Sequence, residues 1–282
     1  MKLRWIVLFA GLLAACDNGT EAPPAKPPGP EAAPPPEKKA PDVRFDAQTL
    51  QKEAEAVALV PSPAEMQRAL SNAGLSTKLD GLVGDRDIKM DVDNKDQIAV
   101  RTGVVLADLV LTVTNAPKEK MLARLGRLKE GFDKLGAGTD VQATVDDIIA
   151  RVNNDAVSRE DLLKEMDELS GVMVPELQYE AGDWVVPLIQ AGSWLEGAHL
   201  VSGAVKTEGK FDAAGPLLRQ PAVVDYFLKY VRREGREKAP DEVVTQLEQT
   251  LQTLKEVTSH EKLTEEDVST INSATGAVLT LL

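Results

Sequence analysis

From Ser62 to the C-terminus, apolar residues recur three and four positions apart, the spacing that gathers them on one face of a helix. Start signals stand at the head of these runs. Ser62, Pro63 and Glu65 form a capping box with proline at the first helical position, and Met66, Ala69, Leu70 and Ala73 follow before Gly74. Pro117 heads Met121, Leu125, Leu128, Phe132 and Leu135, with Gly136 as the stop. Thr139 to Gln142 reads as a second capping box before Val145, Ile148, Ile149 and Val152, and Ser158 precedes Leu162, Leu163, Met166, Leu169 and Met173. Pro240 leads Val243, Leu247, Leu251, Leu254 and Val257, and Thr264 leads Val268, Ile271, Thr275 and Val278. Each run predicts an amphipathic helix with one buried face. Only Ile88, Met90 and Val92 alternate with polar residues as a strand would, and one short strand makes no sheet. The fold class expected is therefore all-α, a bundle of about seven to nine amphipathic helices rather than a solenoid, since no fixed repeat keeps register.

Two segments break the amphipathic pattern. Ile98 to Val113 is apolar nearly all round, and Val185 to Val205 is apolar with small residues on every side. Helices of this kind belong at the centre of a bundle, where Gly103, Ala107, Ala191, Gly192, Gly197 and Gly203 let backbones approach, with Pro187 in a first turn or at a kink. Their few polar residues stand out. Asp108 lies in the first segment with Arg101 two turns earlier; Glu196 and His199 lie three apart in the second, near Trp194. An unpaired buried charge costs several kcal/mol, so Arg101, Asp108, Glu196 and His199 are expected to meet in one network. Such a network either fixes helix register or forms a small-ligand or proton site with Trp194 as an apolar wall.

The chain opens differently. Lys2 and Arg4 precede an apolar run from Trp5 to Ala15, too short to span the ~30 Å core of a bilayer and laid out like a secretory signal. Leu13, Ala14, Ala15 and Cys16 at its end resemble the lipobox of bacterial lipoprotein precursors. That resemblance implies a signal peptide over 1–15, a diacylglyceryl group on the Cys16 sulfur, and a stable anchor, since each buried CH₂ adds ~0.8 kcal/mol. Asp17 after the cysteine is similar to the retention signal of inner-membrane lipoproteins in enteric bacteria, which favours the inner over the outer membrane. Proline interleaved with Ala, Gly, Lys and Glu follows from Pro23 to Pro41, a composition unable to bury enough apolar surface to order itself. Residues 16–43 thus read as a lipidated, disordered tether spanning on the order of 80 Å when extended, and 44–282 as the helical domain. Within that domain, "RTGVVLADL" at 101–109 and "AGSWLEGAH" at 191–199 also resemble segments of uncharacterised all-helical bacterial lipoproteins. This implies a similar body behind a lipid anchor and no particular activity.

Charge narrows the partners. With 32 basic against 45 acidic residues the net charge is -13, which repels nucleic acid and anionic headgroups. The single cysteine is claimed by lipid and leaves no disulfide, so stability has to come from the core.

Catalytic and metal motifs are incomplete. In the acidic stretch from Asp80 to Asp96, Asp91 and Asp93 fit the first two ligand positions of an EF-hand, but Lys95 takes the third and the turn glycine is missing, so a solvated loop is expected. Ser259 to Lys262 spells S-x-x-K without its partner motifs and reads better as a helix end followed by a loop. Two histidines and no second cysteine leave no ligand set for structural zinc. No cofactor is indicated, and the expectation is a non-enzymatic, lipid-anchored binding or scaffolding domain facing the periplasm, with an envelope protein as partner. The alternative is a ligand- or ion-binding lipoprotein using the buried polar cluster; a wall-acting hydrolase ranks third.

Overall fold

Helix boundaries fall largely where capping chemistry puts them. A computed structural model describes residues 60–282 except 183 and 239; the expected signal peptide, Cys16, the tether and the first residues of the domain lie outside that range. Twelve α-helical segments occur among the described residues and no strand. They are α1 (Pro63–Asn72), α2 (Leu79–Val83), α3 (Lys95–Thr112), α4 (Lys118–Leu135), α5 (Thr139–Asn153), α6 (Arg159–Glu168), α7 (Val174–Ala181), α8 (Val185–Glu208), α9 (Ala214–Leu218), α10 (Pro221–Lys238), α11 (Asp241–Thr258) and α12 (Glu265–Leu279). A π-helical turn, Leu169–Met173, runs α6 into α7. The all-α class stands; the number exceeds seven to nine because short helices such as α2 and α9 are too brief to show a period.

Ser62 and Thr264 cap α1 and α12 with reciprocal capping boxes, and Ser158 accepts from the Asp161 N–H at the head of α6. The box expected at Thr139 does not form. Gly138 is the N-cap of α5, Thr139 is already helical, and the Gln142 amide donates instead to the Ala137 carbonyl.

The core is organised around α3 and α8. Both are buried nearly all round, as their lack of a polar face requires. At their crossing, a methyl group on Gly103 would lie 1.9 Å from the Ile189 carbonyl oxygen, and one on Gly192 would lie 2.0 Å from that of Val100. Each glycine faces the carbonyl three residues before the other, so the contact is reciprocal and runs backbone to backbone. Ser193 Oγ adds a hydrogen bond to the Gly103 carbonyl at 2.9 Å. Around this pair, α4 packs on α3 with Gly131 against Thr102, α1 on α8 with Met66 against Gly197, and α12 on α8 with Gly276 against His199. Pro187 sits in the first turn of α8, where its missing N–H costs no hydrogen bond. The α10 and α11 helices pack on one another, and α11 rests on α12.

Among the described residues, Ile88, Met90 and Val92 neither form a strand nor pair with one. Residues 84–94 form an extended strap between α2 and α3, with Ile88 and Met90 buried beneath it. The carboxylates of the strap face solvent, as expected of an acidic loop, but its backbone is tied to the body. Lys120 donates to the Gly84 carbonyl, Arg101 to that of Lys89 and Lys134 to that of Met90, while Arg127 grips both carboxylate oxygens of Asp87.

Candidate functional site

The strap delivers Arg86 to the centre of the bundle. Its Nη2 stands 2.9 Å from Asp108 Oδ1 on α3 and 2.5 Å from Glu196 Oε1 on α8. Asp108 lies five residues beyond Gly103 and Glu196 four beyond Gly192, so the two central helices run past each other in the same sense and bring their only buried carboxyls to one guanidinium. The Glu196 side chain is fully buried (0%), that of Asp108 nearly so (4%), and Arg86 keeps 24% of its side chain in contact with solvent. The exposed part of Arg86 and the edge of Asp108 form the floor of a surface cavity of about 590 Å³ between the strap and α4.

Burial and the neighbouring Glu196 charge push the Asp108 carboxyl well above the usual carboxylate range, against the pull of Arg86 and Arg124. Burial works against the Arg86 charge, but attraction to Asp108 and Glu196 outweighs it and holds the guanidinium firmly protonated. Neither oxygen of Glu196 receives an aligned hydrogen bond from another protein group, and the Arg86 contact to Oε1 is an ion pair off the hydrogen-bonding line.

Of the residues singled out in the sequence, the structure brings together Asp108 and Glu196. The basic partner is Arg86 rather than Arg101, which is turned to the strap at Lys89. His199 is rotated toward α12, where Nδ1 lies 3.1 Å from the Asn272 carbonyl and 3.3 Å from Thr275 Oγ1. Burial lowers its pKa, with the Arg86 charge adding to the effect. Trp194, two residues from Glu196, projects from the far side of α8 and donates Nε1–H to Gln220 at 2.9 Å. Sequence reasoning missed Arg86 because it is separated from Asp108 by 22 positions and from Glu196 by more than a hundred, inside a stretch whose other charges are on the surface.

Trp194 belongs to a second feature. An apolar cleft of about 220 Å³ opens between α8, α10 and α11, walled by Leu188, Trp194, Phe227, Val231, Leu247 and Leu251. The Trp194 and Phe227 rings are 5.9 Å apart, and Val243 at the edge is 42% exposed. The charged residues lining the cleft, Asp96 and Glu234, are both acidic. A cavity of ~150 Å³ with such walls is enough to hold a benzene ring.

Ser259 is the C-cap of α11, with its hydroxyl given to the Lys255 carbonyl, and Lys262 pairs with Asp212. No group of three or more His, Cys, Asp or Glu side chains among the described residues is placed to hold a metal ion. Among the described helices, none is long and apolar enough to cross a membrane. The geometry defines an all-helical body with a buried carboxyl pair on one face of its central helix and an apolar cleft on the other. No family model matches the chain, and neither a curated protein nor a solved structure matches it significantly.

Proposed function

We propose that the chain is a lipid-anchored protein of the bacterial cell envelope, held at the inner membrane through Cys16, and that its helical body is a non-enzymatic binding module. The cleft between α8, α10 and α11 carries this reading. Elsewhere the central interface is filled to backbone contact, whereas here aromatic and aliphatic side chains face a space large enough for another apolar group. The apolar walls suit an apolar segment of an envelope protein, and the net charge of -13 disfavours an anionic lipid there.

Two arms test the proposal. Metabolic labelling with a fatty acid should mark the wild-type chain and leave Cys16→Ser unlabelled and released from membranes. A photo-cross-linker at Val243 of the anchored protein should capture one discrete envelope protein, and Ala191→Trp, which fills the cleft, should abolish that capture. Labelling that survives Cys16→Ser removes the anchor; capture unaffected by Ala191→Trp removes the cleft.

One observation favours a small-ligand site at the carboxyl pair instead, namely the lack of an aligned hydrogen bond to Glu196. The Arg86 guanidinium already occupies the space between the two carboxyls, so a ligand there would have to displace the strap. A hydrolase reading has no comparable support, because the Ser259 hydroxyl and the Lys262 amine are both engaged elsewhere.

A further inference from the structure

We propose that Asp108 carries a proton beside Glu196, and that this proton keeps the 84–94 strap closed over the two central helices, so that the strap opens as the medium turns alkaline. Charge balance comes first. Two buried carboxyls share one guanidinium, and the next cation, Arg124, is committed to Asp80 and to the Thr112 hydroxyl. With both carboxyls ionised, the cluster would carry an uncompensated negative charge at a side chain with no solvent contact. One proton makes it neutral.

Hydrogen bonding points the same way. Glu196 lacks an aligned donor, and both carboxyls meet the same Arg86 Nη2, at 2.9 Å from Asp108 and 2.5 Å from Glu196, so a protonated Asp108 is placed beside Glu196 to supply the missing O–H. Arg86 then bridges the pair and pins the strap. The cavity beside Asp108 and Arg86 gives water a route to the cluster once the strap lifts.

Other charged groups that face the cluster are accounted for. On α4, Arg124, Lys120 and Arg127 are paired with Asp80, with Asp80 and Asp85, and with Asp87. On α8, His199 is held neutral by burial and turned to α12. Its protonation would favour opening at acid pH, the opposite sense to that of the carboxyl pair.

The direction follows from linkage. The closed state binds a proton that a hydrated carboxyl in the open state releases, so opening releases one proton. Over the interval between the two pKa values, each pH unit favours opening by up to about tenfold.

Hydrogen exchange of the strap amides in the full-length protein, corrected for intrinsic rates and followed from about pH 5 to 9, reads this directly. The wild type should show strap opening that steepens with pH, and Asp108→Asn, a permanent mimic of the protonated acid, should show opening that is flat with pH. Infrared difference spectra should contain a carboxylic-acid band that disappears over the interval in which the strap opens. Should Asp108→Asn not fold, Glu196→Gln takes its place; should neither fold, the wild-type infrared band decides. A flat wild-type profile, a variant as steep as the wild type, or the absence of a titrating carboxylic-acid band overturns the proposal.

Discussion

Replacing Gly192 with alanine adds one methyl group at the crossing of the two central helices. It would sit 2.0 Å from the Val100 carbonyl oxygen, 2.9 Å from its carbon and 3.0 Å from the Val104 nitrogen. These are backbone atoms of α3, which cannot rotate away as a side chain can. Reaching van der Waals distance requires α3 and α8 to separate by on the order of 1.5 Å. Overpacking in a filled core costs about 1–3 kcal/mol, and a rigid backbone neighbour places this case at the upper end. Alanine recovers about 1 kcal/mol of helix propensity, leaving a net loss of roughly 2 kcal/mol.

Gly126 supplies the control. It lies in the middle of α4, is exposed, and a methyl group there meets nothing within 4 Å. Gly126→Ala should therefore stabilise by up to about 1 kcal/mol through propensity alone. Urea unfolding followed by far-UV circular dichroism, with wild type and both variants at one pH, measures the two effects with opposite signs. If Gly192→Ala unfolds within about 0.5 kcal/mol of wild type, or Gly126→Ala falls as far as Gly192→Ala, the central crossing is not the tight contact described and the reasoning fails.

Arg86→Met keeps the length of the side chain and removes its charge, leaving a buried carboxylate unpaired. Unfolding at pH 7 should show a loss of about 3–5 kcal/mol, and that loss should shrink on acidification as the remaining carboxyl takes up a proton. Glu208 at the end of α8 accepts from the Thr77 hydroxyl and from the Ser76 and Thr77 N–H groups and pairs with Lys210, which lowers its pKa to about 2. A depressed carboxylate contributes stability above its unfolded value and loses it as pH falls toward the folded one, so Glu208→Gln should flatten the decline of thermal stability between about pH 4.5 and 2. Thr264→Ala removes the capping box of α12 and should cost about 1 kcal/mol by the same urea assay.

Much of the fold was legible because burial leaves a signature in periodicity. A helix apolar on one side has to lie on something, and α3 and α8, apolar on every side, have to lie within. Gly103 and Gly192 could be read as approach points because nothing else explains glycine inside such helices. What sequence could not supply was register between distant segments. Arg101 is a better guess than Arg86 as partner to Asp108 only because it is on the same helix. The strap at Ile88, Met90 and Val92 has the alternation of a strand because alternate residues do face the core, but basic side chains of α3 and α4, not a second strand, take up its carbonyls. Thr139 failed as a cap because Gly138 just before it takes the extended conformation and serves as the N-cap itself.

The central crossing and the carboxyl pair are one construction. A reciprocal glycine contact fixes how α3 and α8 cross, and with both helices running the same way, positions a turn or so beyond each glycine converge. At that distance from the crossing there is room for side chains again, and the chain fills it with two acids and the arginine of a third segment rather than with leucine. Apolar residues of similar volume would hold the helices at least as well, since a buried ion pair seldom outperforms them in stability. What apolar residues would not do is refuse every other register. Sliding α8 by one turn against α3 would leave Glu196 facing aliphatic side chains, and releasing the strap would strip both carboxyls of their counterion. The cluster therefore ties the packing of the two central helices to the position of the strap, and it makes that tie depend on a single proton.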